Sequence, residues 1–174
     1  MYDIFINFFK DNQHLFPKHR NINTGQNHAD NISELKLVYN VQFPFAYCFP
    51  ISQFMFYYLG GYGSNYELRC IKGIPINIKG CEHRTTHWFV VNKLNGEIID
   101  LSKEQFEKIL NIDEYYKKGK KAHFGFPYLK RGGKVYKNTA PSKNVLKLYE
   151  QFRKIYLNSQ SETLEFYLKE YKSL

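Results

Sequence analysis

His87-Trp-Phe-Val-Val-Asn-Lys-Leu-Asn95-Gly96-Glu-Ile-Ile-Asp100 is the stretch that decides the fold class. Its first half, His87 to Lys93, is rich in β-branched and aromatic residues and reads as a strand. Asn95-Gly96 is the strongest short hairpin signal, and Glu97 to Asp100 is the returning strand. A two-residue turn at Asn95-Gly96 pairs Leu94 with Glu97 and puts Asp100 opposite Val91, four residues along from His87. On that register the two side chains do not meet; a bulge, strand twist or longer loop is needed to join them. Upstream, Glu67 to Lys72 alternates and Ile74 to Ile78 resumes after Gly73, so further strands precede the hairpin. Downstream, Ser102 with Gln105 three residues later has the pattern of a capping box, and Phe106 reads as packing.

Outward from this sheet the chain reads as helix. Residues 2–10 form a short helix burying Ile4, Phe5, Phe8 and Phe9, and residues 11–34 are polar. In Gln42-Phe-Pro-Phe-Ala-Tyr-Cys48-Phe-Pro50, Pro44 disfavours helix while Pro50 suits a first turn. Ile51 to Leu59 continues as an apolar helix that Gly60-Gly61 stops. Cys48 therefore sits where a loop becomes a buried helix. After a mixed, basic stretch over 107–140, helical periodicity returns in Val145, Leu148, Tyr149, Phe152 and Ile155 behind Pro141, and a last amphipathic helix covers about 161–171. The order, helix first and sheet after, predicts an α+β domain.

The 174 residues suit one domain with a real core, and 43% hydrophobic against 24% charged residues excludes a disordered chain. No run of about 18 apolar residues exists, so no membrane span is expected. The apolar start carries Asp3 and lacks a basic leader and a cleavage site, so it does not read as a signal peptide. Three cysteines, Cys48, Cys70 and Cys81, make no Cys-x-x-Cys pair and no even framework. The expectation is a reduced, cytoplasmic protein with a thiol available for chemistry. A net charge of +9 permits a nucleic-acid partner, but no nucleic-acid motif accompanies the lysine runs at 117–121 and 130–134, and a solvated basic face is the simpler account.

A helix N-terminus favours the anionic form of a thiol placed there, an imidazole beside it takes the proton, and a carboxylate on the other ring nitrogen fixes the tautomer. Cys48, His87 and Asp100 supply those three groups. Gln42, six residues before Cys48, is placed to donate its side-chain amide to an oxyanion beside the sulfur.

The block His87-Trp88…Asn92-Lys-Leu-Asn-Gly96-Glu-Ile-Ile-Asp100-Leu101-Ser102-Lys-Glu-Gln105-Phe106 resembles the His-x-x-Asn…Asp-Gly…Asp-Leu-Thr-x-x-Gln-Phe block of the YunG-like family. That family also has a cysteine opening an apolar helix that ends in Gly-Gly, as Cys48 and Gly60-Gly61 do here. The resemblance spans roughly residues 40–155. Asn92 departs from it, standing two positions further from the histidine, and Ser102 replaces the threonine. The resemblance implies a compact papain-like (NlpC/P60-type) fold with a single domain over 1–174, residues 1–35 being a candidate N-terminal extension. It also implies Cys48 as nucleophile, His87 as base and Asp100 as the orienting residue, the chain order of papain-like hydrolases.

Other readings stand beside these. Cys81-Glu-His83 with His87 has some zinc-ligand spacing but no clear fourth ligand, so no metal and no organic cofactor is expected. Cys70 and Cys81 read as structural. Trp88 is a candidate wall of the substrate cleft, although a tryptophan beside a sheet is more commonly core. The expected activity is a cysteine-dependent hydrolase or acyltransferase acting on an amide, isopeptide or thioester of a protein, peptide or small molecule. The alternative is a catalytically silent papain-fold module that binds nucleic acid or protein through its basic aromatic surface.

Overall fold

The computed structural model describes residues 2–16, 47–78, 81–103, 134–135 and 140–173, with the backbone path alone for 72–78, 81–85 and 134. It is an α+β arrangement. Among the described residues the helices are α1 (Asp3–Asp11), α2 (Cys48–Tyr58), α3 (Lys143–Ile155) and α4 (Glu162–Ser173), with a 3-10 turn at Gln13–Leu15. The strands are β1 (Tyr66–Ile78), β2 (Cys81–Asn92), β3 (Ile98–Ile99) and β4 (Lys134–Val135), in the antiparallel order β3-β2-β1-β4.

The two strands expected on either side of Gly73 are one continuous β1, whose pairing with β2 shifts register between Lys72 and Ile74. Glycine at that point lets the backbone depart from regular pleating without ending the ladder.

The core lies where one face of the sheet meets the helices. Leu68 pairs with Val90 and Val90 with Ile99, so the three form one cross-strand row, and all are buried. Against them packs an aromatic cluster centred on Phe54 of α2 and Phe152 of α3. Phe152 stacks on Phe5 of α1 at 5.2 Å between ring centroids and meets Phe8 edge-on at 5.0 Å. Phe54 meets Phe9 edge-on at 5.2 Å. Each fully buried ring of this kind contributes roughly 1.5–3 kcal/mol through removal of apolar surface from water, with somewhat more from ring geometry.

Gly60 and Gly61 end α2 for a specific reason. Both lie at positive φ (+107° and +63°), Gly61 N–H reaches the Phe56 carbonyl at 2.9 Å and Gly60 N–H the Tyr57 carbonyl at 3.2 Å. That is the paired C-terminal cap that satisfies otherwise orphaned helix carbonyls, and it needs residues without a Cβ. At the start of α3, the Ser142 hydroxyl accepts from Val145 N–H, while Ser142 N–H donates to Gln53 Oε1 at 3.2 Å. The α3 cap is thereby fastened to α2, the helix that carries Cys48.

No helix among the described residues is long and apolar enough to cross a membrane.

Candidate active site

Cys48 is the first residue of α2, with Tyr47 as its N-cap. Tyr47 supplies no side-chain cap, and the first helical bond runs from Ile51 N–H to the Tyr47 carbonyl at 3.1 Å. The Cys48 backbone N–H, at the first helical position, has no carbonyl within the helix to bond. Pro50 sits in the same turn, where its missing N–H costs nothing.

Strand β3 is two residues long. That strand pairs only with Val90 and Val91, so β2 beyond them has one strand neighbour among the described residues. Helix α2 covers the open stretch. The Cys48 thiol lies 3.7 Å from the Thr86 carbonyl oxygen, and the Ser52 hydroxyl donates to the Trp88 carbonyl at 2.8 Å. Four residues of helix advance about 6 Å and two residues of strand about 6.6 Å, so one turn of α2 matches one pleat repeat of β2. The two contacts bracket His87 and bring the sulfur to its ring.

His87 is fully buried, stacked over Phe89 at 6.1 Å, and its Nε2 lies 2.5 Å from Asp100 Oδ2. The register that brings Asp100 there differs from the two-residue turn expected at Asn95-Gly96. The observed loop has four residues, Lys93 to Gly96: Asn92 N–H donates to the Glu97 carbonyl and Gly96 N–H to the Asn92 carbonyl, both at 2.9 Å. The cause lies in two asparagine side chains. Asn92 Oδ1 accepts from Leu94 N–H at 3.0 Å and Asn95 Oδ1 from Glu97 N–H at 2.9 Å, while Gly96 supplies the positive φ of +74°. Extending the Val90–Ile99 pair by one residue places Asp100 opposite Phe89 instead of Val91. Asp100 then shares a face with His87 as a diagonal neighbour, within reach once the chain turns away from β3.

The carboxylate is held from both sides. Oδ2 meets His87, and Oδ1 accepts from Ser102 N–H at 3.0 Å and from the Ser102 hydroxyl at 2.9 Å. The side chains of His87 and Asp100 are 0% and 1% exposed, so water does not screen their interaction. Burial alone pushes the imidazolium pKa down. The charge and hydrogen bond of Asp100, followed by the hydrogen bond and charge of Cys48, outweigh burial and bring it up to about 9. At neutral pH the ring is therefore protonated. With Nε2 engaged by Asp100, Nδ1 is the ring nitrogen left to face Cys48.

Of the residues singled out in the sequence, Cys48, His87 and Asp100 come together. Gln42 lies outside the described residues, as do Gln105 and Phe106. Trp88 is half-buried and packs edge-on against Phe49 at 4.7 Å, beside the residue that follows Cys48. The side chains of Cys81 and His83 lie outside the described set, and among the described residues no group of three His, Cys, Asp or Glu side chains forms a metal cluster. Cys48 and Cys70 are both buried and take part in no disulfide.

Sequence reasoning missed two residues. Ser102 reads as a helix cap, yet its hydroxyl is spent on Asp100; the Asp-x-Ser spacing of a side-chain turn was the available signal. Ser52 is a polar residue in a mainly apolar helix, one turn from Cys48, and that spacing was its signal.

A scan against protein-family models, a search of curated proteins and a search of solved structures each return no match.

Proposed function

We propose that the chain is a cysteine-dependent acyl-transferring enzyme, and within that class a hydrolase or acyltransferase of papain-like design. The observation that carries this reading is the unbroken line of contact from a thiol at a helix N-terminus, through a buried imidazole, to a buried carboxylate.

The chemistry follows from the protonation of the ring. In this scheme the attacking species is the Cys48 sulfur anion, and the His87 imidazolium beside it is the proton source. Attack on the carbonyl of an amide, isopeptide or thioester forms the carbon–sulfur bond and moves charge onto the carbonyl oxygen. The Cys48 backbone N–H is placed at the helix start to receive that charge, and Gln42 is the second donor in this reading. Collapse expels the leaving group, which takes the proton from His87 and leaves a thioester on Cys48. The neutral ring then takes a proton from water, or from an acceptor nucleophile, as it attacks the thioester and restores the sulfur anion. Asp100 stays ionised throughout, fixing the ring and stabilising its charged form. The substrate is a protein, peptide or small amide, and no metal or organic cofactor enters the scheme.

Thiol reactivity tests the reading. Iodoacetamide at pH 6.5 should alkylate Cys48 in the folded protein many times faster than the same cysteine in the urea-unfolded chain, and His87→Ala should remove the difference. Equal rates in folded and unfolded protein would leave the scheme without a nucleophile.

A further inference from the structure

We propose that Ser102 is a positioning residue of this site: its hydroxyl and backbone N–H, both donated to Asp100 Oδ1, fix the carboxylate orientation that aims Oδ2 at His87. The inference rests on the reading of the site as a Cys-His-Asp constellation and adds a member to it.

A carboxylate turns about one bond whose torsional preference is broad, so its direction is set by what its oxygens accept. Here one residue, two positions downstream, supplies two donors to Oδ1, where β3 has already ended at Ile99. The backbone N–H alone constrains one direction; the hydroxyl adds a second, and together they define the plane. Ser102 is fully buried, so water does not replace the hydroxyl when it is removed. Among the described residues the titratable groups acting on His87 are Asp100 and Cys48, and only Asp100 is reached by Ser102. A serine that merely filled space or capped a helix would leave the titration of His87 where it is.

The test uses the full chain and needs no substrate. The His87 imidazole is followed by NMR from pH 5 to 11 in the wild type and in Ser102→Ala, Ser102→Gly and Ser102→Thr, its signal assigned by its loss in His87→Gln. Removal of the hydroxyl in the Ala and Gly variants frees the carboxylate to turn away from the ring and should lower the His87 midpoint from about 9 by more than the error of the titration. Ser102→Thr, which keeps the hydroxyl, should recover most of that shift. The proposal falls if the Ala or Gly variant folds with an unmoved midpoint, if Thr lowers it as much as Ala does, or if neither Ala nor Gly folds, which would make Ser102 a structural residue. Failure of the enzyme reading shows separately: iodoacetamide would then alkylate wild-type Cys48 at the rate of the unfolded chain, whatever the His87 midpoint does.

Discussion

Two polar networks lie at opposite ends of α2, and they differ in what their protons can do. Between α3 and α4, the Tyr149 hydroxyl donates to Glu165 Oε1 and accepts from Ser161 N–H, both at 2.9 Å, and Glu165 Oε2 accepts from Arg153 at 2.9 Å. The Ser161 hydroxyl donates onward to the Tyr57 carbonyl at 3.3 Å, tying the network to α2. Its titrating group is locked: burial chiefly, with Glu165 adding, pushes Tyr149 up to about 12, so its proton stays put at any physiological pH. At the other end of α2, Cys48, His87, Asp100 and Ser102 are all buried, and there the ring, its pKa held against burial up to about 9 chiefly by Asp100, stands next to a sulfur. Burial and hydrogen bonding are common to both. On the proposed reading, what separates the fastening from the candidate site is an exchangeable proton beside a thiol.

The contrast is broken most severely at the sulfur. Cys48→Ala should abolish iodoacetamide labelling of the site and lower any acyl-transfer activity by about four orders of magnitude or more, since the nucleophile has no substitute. The same change removes only one sulfur atom from the end of a helix, so the unfolding free energy should move by no more than about 1 kcal/mol. Intact-mass analysis after labelling and a urea titration read the two quantities on one sample.

The helical half was legible because its signals are local. Pro141 and Ser142 before a 3.6-residue apolar pattern announce α3, and Gly60-Gly61 announces the end of α2, through backbone chemistry that needs no knowledge of the rest of the chain. The site was legible by residue type but not by geometry. A thiol at a helix start, an imidazole on a strand and a carboxylate after it can be picked out by their chemistry. Their convergence depends on a hairpin register that Asn95-Gly96 misreports, because the side chains of Asn92 and Asn95 stretch the turn to four residues. It depends too on where α2 lies along β2, with Cys48 at the Thr86 carbonyl and Ser52 at the Trp88 carbonyl. Strand length is set by competition among distant partners that the local sequence does not record, whereas the register signal, the two asparagine side chains, lies within His87 to Asp100 and was overshadowed by the Asn95-Gly96 pair.

The second way to sharpen the comparison is pH. His87 has a folded pKa raised from 6.5 to about 9, so between those values the native state binds more protons than the unfolded chain. Its contribution to stability is full below pH 6.5 and is lost as pH rises through about 9. Tyr149, raised from 10.0 to about 12, is likewise protonated in the folded state, and its contribution is lost in a separate, higher window. Urea unfolding measured from pH 6 to 10 should therefore show stability falling with pH, and Asp100→Asn, by removing the charge that holds the proton on the ring, should flatten that fall. A flat wild-type profile would mean that the ring is not held as the imidazolium.

The smallest effect is the most discriminating. Tyr149→Phe keeps the ring in the aromatic core, where it lies 6.2 Å from Phe54, and removes only the hydroxyl. The buried Ser161 N–H then loses its acceptor, a cost of about 1–3 kcal/mol because it cannot turn to water, while the partly exposed Glu165 keeps Arg153 and solvent. Urea unfolding should show that loss, yet the rate of Cys48 alkylation on the folded protein should stay within twofold of wild type, since α2 remains fixed to β2 through Ser52 and the Trp88 carbonyl. Should alkylation slow in step with stability, the two networks would be one cooperative unit acting through α2, and the separation of fastening from chemistry would fail at the helix that joins them.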